Sequence, residues 1–168
     1  MSKTSQPTTE KFKSGFVTLV GRSNVGKSAL LNTLVGTKIA AVTDKPQTTR
    51  NIIHGVLNTA QGQAVFVDTP GVFKDKGNPL SGKLIQRAHE ALQGINIIIY
   101  VADPNKSLGI EERATLAMVR KMDMPKLLVI NKSDLPAKEK KYLEADKALG
   151  DQFTHVFELS AEQNRDIQ

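Results

Sequence analysis

The stretch GRSNVGKSAL, from Gly21 to Leu30, lies between the apolar run GFVTLV and the helix-patterned run LLNTLVG. It has the spacing G-x-x-x-x-G-K-S, at the point where a predicted strand ends and a predicted helix begins. Glycines let a loop wrap closely around an anion, and backbone N–H groups at a helix N-terminus attract negative charge. The stretch therefore predicts a phosphate-binding loop, the P-loop.

Two side chains of the P-loop have distinct predicted roles. Lys27 would reach the β- and γ-phosphates of a nucleotide, and the Ser28 hydroxyl would bind Mg²⁺. The alternative is a glycine turn with a purely structural role. The lysine and serine at the expected positions of the motif make this alternative less favoured. The other loop residues expected to contact the nucleotide are Gly21, Asn24, Val25, Gly26 and Ala29.

Length and composition indicate one domain. The chain has 168 residues, of which 39% are hydrophobic, and this is enough to bury a real core. Residues 1–14 are polar and are expected to form a flexible tail, so the packed domain would span 15–168. Strands are predicted at 16–20, 52–57, 63–68, 95–103, 126–130 and 153–160, and helices at 27–35, up to about 93, at 109–122 and at 137–149.

This alternation predicts an α/β P-loop NTPase fold, with a mostly parallel six-stranded sheet flanked by helices. NTAQG between the second and third strands is hairpin material, so one strand is expected to be antiparallel. The run INIIIYVAD suits a strand covered on both faces. The helix after it is predicted to bury one apolar stripe, formed by Ile110, Ala114, Ala117, Met118 and Met122.

The P-loop alone does not choose between ATP and GTP, and the choice depends on NKSD, Asn131 to Asp134, directly after the strand KLLVI. The Asp134 carboxylate can accept from the ring N–H and the exocyclic amine of guanine, a donor pair that adenine lacks. Taken alone, these four residues could also form an ordinary polar turn. The place of Asn131, Lys132 and Asp134 at the carboxyl end of a strand favours guanine-nucleotide binding.

The sequence DTPG, from Asp68 to Gly71, follows the third predicted strand. Asp68 would hold Mg²⁺ through a water molecule, and the Gly71 N–H would meet a γ-phosphate. By itself the motif is also compatible with a simple turn. Its position between the P-loop and NKSD favours the nucleotide role.

These motifs, with SA at Ser160 and Ala161, resemble the ordered motif set of the translation-factor-related GTPases. Within that group, GRSNVGKSALLN, KPQTTR and VDTPGVFK most resemble the G domain of the bacterial Era family. The resemblance covers Gly15 to about Ala161 and implies a GTP-hydrolysing switch, with Ser160 and Ala161 contacting the nucleotide. Der-type, tRNA-modification and iron-transport G domains share much of the pattern and remain alternatives.

The resemblance also implies how hydrolysis would proceed. Thr48 or Thr49 would be the switch threonine that closes on Mg²⁺, and the TTR pattern favours Thr49. Val72 stands where Ras-like enzymes carry a water-positioning glutamine, so the water must be oriented otherwise. Asn24 resembles the asparagine that ligates a potassium ion (K⁺) in this family, with a loop-stabilising role as the alternative. The catalytic set implied is Lys27, Thr49, Gly71 and Asn24.

The implied partners are the small ribosomal subunit and 16S rRNA, contacted mainly through a C-terminal KH domain. The chain ends at Gln168, so we expect a G domain truncated before its last helix, without the KH domain. The net charge of +6 is compatible with a polyanionic partner and equally with a solvated cationic surface. A cytoplasmic monomer is expected, with peripheral association at the inner membrane as an open alternative.

Two other function classes remain open from the sequence. One is a binding module that responds to guanine nucleotide but has negligible hydrolysis without a partner, which Val72 favours. The other is a P-loop ATPase or small-molecule kinase, which would prefer ATP. The three histidines have no metal-ligand spacing and are assigned no role.

Overall fold

A computed structural model describes residues 12–36, 52–68, 82–164 and 166–167. Within these residues, strands and helices alternate as predicted, with boundaries that differ by a few residues. The strands are β1 (Lys13–Val20), β2 (Ile52–Asn58), β3 (Gly62–Asp68), β4 (Ile95–Ala102), β5 (Lys126–Ile130) and β6 (His155–Glu158). The helices are α1 (Lys27–Val35), α2 (Gly82–Ala91), α3 (Ile110–Arg120) and α4 (Leu143–Lys147), followed by a 3₁₀ turn at Gly150–Gln152.

The six strands form one sheet in the order β2-β3-β1-β4-β5-β6. All neighbouring pairs are parallel except β2 and β3, which form the predicted antiparallel hairpin. The strand order reverses direction at β1, because β3 is added on one side of it and β4 on the other. This switch opens a crevice at the carboxyl end of β1, where α/β sheets bind their ligands and where the P-loop begins.

Two hydrophobic clusters lie on the two faces of the sheet. One joins Ile98, Tyr100 and Leu128 to the inner sides of α2 and α3. The other joins Ile99 and Val101 to Leu30 of α1 and the apolar side of the P-loop. Successive residues of β4 alternate between the two clusters, so this strand is covered on both faces, as its apolar run predicted.

The predicted stripe on α3 is wrong at its first member. Ile110 is 89% exposed. Glu112 turns inward instead, because its carboxylate accepts a hydrogen bond of 2.5 Å from the Gly109 N–H at the helix start. A residue two positions earlier on a helix points about 200° away, so Ile110 faces solvent. The buried apolar residues of α3 and of the turn after it are Leu116, Met118, Val119 and Met122.

The helix predicted over 137–149 is also wrong in extent, since α4 has five residues. The segment before it forms turns, with i→i+3 bonds such as Lys140 N–H to the Ala137 carbonyl at 3.2 Å. The Tyr142 N–H donates to the carbonyl of Pro104 at 2.9 Å, a tertiary bond that replaces a helical one. The strand predicted at 153–160 is likewise reduced to β6, whose Val156 and Phe157 are 42% and 46% exposed.

No helix in the described ranges is long and apolar enough to cross a membrane.

Candidate nucleotide-binding site

The P-loop joins β1 to α1 and requires glycine at two positions. Gly21 has a φ of 148°, and a Cβ there would lie 2.4 Å from the Val101 carbonyl oxygen. Gly26 has a φ of 97°, and its Cβ would lie 2.2 Å from the side-chain nitrogen of Asn131. Both distances are shorter than any side chain tolerates. The loop therefore lies directly against β4 and the NKSD turn.

Lys27 is the first residue of α1, and its ammonium group folds back over the P-loop. It donates to the Gly21 carbonyl at 2.7 Å and to the Arg22 carbonyl at 2.6 Å. Ser28 follows at the exposed N-terminal end of the helix, with its partial positive charge. This cationic end is suited to phosphate groups, and the predicted P-loop geometry is present.

Asn131 connects three loops through one buried amide. The side chain is 2% exposed, and its nitrogen donates to the Val25 carbonyl at 2.9 Å. Its oxygen accepts from the Ala161 N–H at 3.0 Å. The Thr33 hydroxyl of α1 also lies 2.8 Å from the Ala161 carbonyl oxygen. Asn131 therefore fixes the P-loop, the NKSD turn and the SA turn relative to one another.

Asp134 presents an acceptor that the protein leaves unsatisfied. Its Oδ1 is buried and has no hydrogen-bond partner in the structure. The nearby Ser160 is fully buried, and its hydroxyl accepts from the Gln163 N–H at 3.2 Å. A buried carboxylate oxygen without a donor is costly, and this cost is relieved by a ligand that brings N–H groups. Guanine is such a ligand.

Lys132 reaches from the NKSD turn across to the P-loop. Its backbone has a φ of 61°, and its ammonium lies 2.7 Å from Asp103 Oδ2 and 3.5 Å from the Asn24 carbonyl oxygen. Asn24 is exposed and also has a positive φ, 64°. The two left-handed residues face each other across the crevice between the loops.

A cavity of about 250 Å³ opens on the other side of the P-loop. Lys27 and Ser28 line it from α1, Asp68 from the end of β3, and His54 from β2. A serine hydroxyl and an aspartate carboxylate are the hard oxygen donors that Mg²⁺ prefers. Ser28 and Asp68 therefore fit a magnesium ion beside bound phosphates.

His54 was assigned no role from the sequence, yet it lies at this cavity. Its Nε2 is 3.8 Å from Asp68 Oδ2. Among the residues that the structure describes, no group of three or more His, Asp or Glu side chains could hold a metal ion. Ser28 and Asp68 would thus supply only part of the coordination of a metal at this cavity.

Comparison with known proteins agrees with this geometry. The sequence profile of a family described as 50S ribosome-binding GTPase matches residues 16–132. The chain belongs to this family. It is 43% identical over 157 residues to GTPase Era of Thermoanaerobacter sp. strain X514, a match that covers 92% of the chain and 51% of that protein.

Two solved Era structures share the fold of this family member. One is Era in complex with MgGDPNP and nucleotides 1506–1542 of 16S ribosomal RNA, with a TM-score of 0.66 and 29% identity over 94% of this chain and 54% of that one. The other is an Aquifex aeolicus Era variant bound to GDP and AlF4⁻, with a TM-score of 0.65 and 29% identity over 93% and 54% of the two chains. The chain spans about half the length of the relatives it matches.

Most predicted site residues of this GTPase-family chain come together around one crevice. The P-loop residues, including Val25 and Ala29, lie at one side, and Asn131, Lys132, Asp134, Ser160 and Ala161 lie at the other. The predicted switch residues Thr48, Thr49, Gly71 and Val72 lie outside the described residues.

Sequence reasoning missed two residues that hold the loops of the site in place. Asp103 directly follows the apolar run of β4, at the same sheet edge as NKSD. A carboxylate at the carboxyl end of a buried strand was a usable signal, because such ends meet at the ligand crevice. Thr33, in the middle of α1, gave no signal in the sequence.

Proposed function

We propose that this chain is the G domain of an Era-type GTPase, which binds GTP and GDP with Mg²⁺ and hydrolyses GTP. The observation that carries the proposal is the buried, unpartnered Asp134 Oδ1. It lies in a turn that Asn131 ties to a P-loop of the required geometry. A charged acceptor left unpaired by adenine disfavours the ATPase and kinase alternatives.

Different residues of the site would contact different parts of the nucleotide. The P-loop N–H groups and Lys27 hold the phosphates, and Asp134 recognises the base. Ser28 would bind Mg²⁺ directly, and Asp68 would do so through water. An ion held there would supply positive charge that offsets the negative charge of the phosphates. Thr49, or Thr48 in its place, and the Gly71 N–H would complete the γ-phosphate contacts.

We further propose that K⁺ stimulates hydrolysis through Asn24. Asn24 is exposed at the P-loop surface, in a left-handed conformation that turns the loop around the phosphate position. Val72 has no hydrogen-bonding side chain with which to orient water, so the water must be oriented otherwise, and a K⁺ held by Asn24 would add positive charge beside the phosphates.

The cellular role proposed for the full-length protein is assembly of the small ribosomal subunit, with 16S rRNA as partner. Era bound to 16S rRNA nucleotides supports this role, as does the similarity of the chain to Era proteins. Contact with RNA would be made mainly by a KH domain of that protein. The net charge of +6 on this chain is compatible with a polyanionic neighbour. A cytoplasmic monomer is proposed, with peripheral membrane contact as an alternative location.

The test is GTP hydrolysis by the purified chain with Mg²⁺, in KCl against NaCl at equal ionic strength. We expect measurable turnover that is faster in KCl, that ATP does not replace, and that Lys27→Ala abolishes. In Asn24→Ala, the two salts should give equal rates. Tight GDP binding with no turnover in either salt would instead favour the nucleotide-dependent binding module. ATP hydrolysis in preference to GTP would overturn the proposal.

A further inference from the structure

A buried carboxylate outside the family motifs is in contact with the nucleotide-binding turns. Asp103 immediately follows β4, and its side chain is 1% exposed. Its Oδ2 pairs with the Lys132 ammonium at 2.7 Å, and its Oδ1 accepts from the Asn105 N–H at 3.0 Å. Both carboxylate oxygens are therefore engaged, and the side chain has a fixed position.

The ion pair fixes the position of an otherwise flexible side chain. A lysine side chain loses rotamer entropy when it is held in one conformation, so a strong partner is needed. The second contact of Lys132, with the Asn24 carbonyl oxygen at 3.5 Å, is too long to do this alone. A partly buried charge-assisted hydrogen bond at 2.7 Å is strong enough.

Because Asp103 fixes the direction of the Lys132 side chain, it also affects the gap between the NKSD turn and the P-loop. Lys132 begins two residues before the base-recognising Asp134 and ends beside the Asn24 carbonyl of the P-loop. The nucleotide must pass between these two turns, with its base at Asp134 and its phosphates at Lys27. A lysine held across this gap keeps the crevice at the width the nucleotide needs before it binds, and such preorganisation lowers the cost of binding.

A second ion pair lines the same small cavity as Asp103, but it is weaker and does not serve as this anchor. Arg22 and Glu112 are 3.5 Å apart, and the Arg22 side chain is 42% exposed. An exposed pair at this distance contributes little. Lys106 also lies near Asp103, but its ammonium is farther away, 3.8 Å from the same Oδ2.

We propose that Asp103 is a positioning residue for guanine-nucleotide affinity. It acts by holding Lys132 across the base end of the site, against the Asn24 carbonyl. The proposal rests on the proposed function, because it assumes that the crevice binds GDP and GTP. It assigns Asp103 no contact with the nucleotide itself.

The experiment is a double-mutant cycle on the whole chain. Titration with fluorescent GDP measures Kd, and GTP turnover measures kcat. The variants are Asp103→Asn, Lys132→Met and the two together, with Lys106→Ala as the matched control. Asp103→Asn should weaken GDP binding by about tenfold or more. The kcat at saturating GTP should fall by less than the GDP affinity, because Lys27 and Ser28 at the phosphate end are unchanged. Lys106→Ala should bind GDP like the parent.

The second arm of the cycle separates positioning from general support of the fold. In the Lys132→Met background, adding Asp103→Asn should cause no further loss of GDP affinity, because the group through which Asp103 acts is gone. This comparison also serves if Asp103→Asn alone does not fold, since the double variant buries no unpaired charge at this place.

The outcomes distinguish this proposal from the proposed function. A parent chain that binds no guanine nucleotide contradicts both. A parent that binds GDP, with an unchanged Kd in Asp103→Asn, overturns the positioning role alone. A further loss of affinity in the double variant, equal to the loss in Asp103→Asn, also overturns it, since Asp103 would then act without Lys132.

Discussion

At the scale of single residues, the proposed base specificity depends on the Asp134 carboxylate. Asparagine at this position presents an amide N–H₂ where guanine itself presents donors, so Asp134→Asn should weaken GDP binding by about a hundredfold. Xanthine carries a carbonyl oxygen in place of the exocyclic amine and can accept from the new amide. The variant should therefore bind xanthosine diphosphate more tightly than GDP, measured by competition against fluorescent GDP.

The matched control is Asp151→Asn, the same chemical change at an exposed carboxylate of the 3₁₀ turn. It should leave both affinities unchanged. Asp134→Asn with parental GDP affinity and no gain for the xanthine nucleotide would show that Asp134 does not read the base. The NKSD turn would then have a purely structural role.

At the scale of elements, contact between the P-loop and the NKSD turn depends on the missing side chain of Gly26. Gly26→Ala would place a methyl group 2.2 Å from the Asn131 amide nitrogen, at a φ of 97°. The amide must then move and lose its bond to the Val25 carbonyl. We expect a loss of about 2–4 kcal/mol in unfolding free energy and a weaker GDP affinity, measured by urea denaturation and fluorescence titration.

Gly94→Ala separates steric overlap from backbone strain. Gly94 also has a positive φ, 83°, but a Cβ there would meet nothing within 4 Å. This control should cost about 1 kcal/mol of stability from strain and leave GDP affinity unchanged. Equal effects of the two substitutions on nucleotide binding would contradict close packing of the two loops as the reason for glycine at Gly26.

The elements also show where sequence reasoning succeeded and where it failed. The bounds of α1 and β5 were predicted correctly, because a P-loop before α1 and a polar turn after β5 mark their ends. The helix over 137–149 was overpredicted, since a tertiary bond from the Tyr142 N–H to the Pro104 carbonyl leaves no trace in local periodicity. Ile110 was misplaced because the inward turn of Glu112 depends on a cap contact with Gly109.

In the candidate site, too, some residues could be predicted from the sequence and others could not. Residues that touch a ligand occur in short motifs, so the P-loop and NKSD could be read directly from the sequence. Asp103 and Thr33 act on other protein groups across long sequence separations, and their contacts exist only after the sheet has assembled. Reasoning from spacing therefore finds motif residues, including Asn131, and misses the supporting residues that lie outside the motifs.

At the scale of the whole molecule, three acidic side chains meet behind the site. Asp103, Glu112 and Asp146 line a small cavity beside Tyr100, and Asp146 is 1% exposed with an unpartnered Oδ2. Burial, and then the nearby charges of Asp103 and Glu112, raise the pKa of Asp146 from 3.8 to about 7. Asp103 and Glu112 each contact a cation, whereas the raised pKa favours the protonated, neutral form of Asp146 below about pH 7.

This raised pKa makes stability depend on pH in a definite direction. Between pH 4 and 7 the folded state binds more protons at Asp146 than the unfolded state, so the unfolding free energy falls as pH rises through this window. Asp146→Asn replaces the protonated acid with an isosteric amide that does not ionise. Relative to the parent, the variant should therefore gain stability as pH rises.

The measurement is urea denaturation of the parent and Asp146→Asn at pH 5, 6, 7 and 8. The difference in unfolding free energy should shift in favour of the variant by about 1–3 kcal/mol between pH 5 and 8. Asp123→Asn, at an exposed carboxylate, should show a difference that does not change with pH. A flat difference for Asp146→Asn as well would mean that Asp146 is already ionised at pH 5. The cluster would then hold three negative charges behind the nucleotide site, which burial and their mutual repulsion make unfavourable.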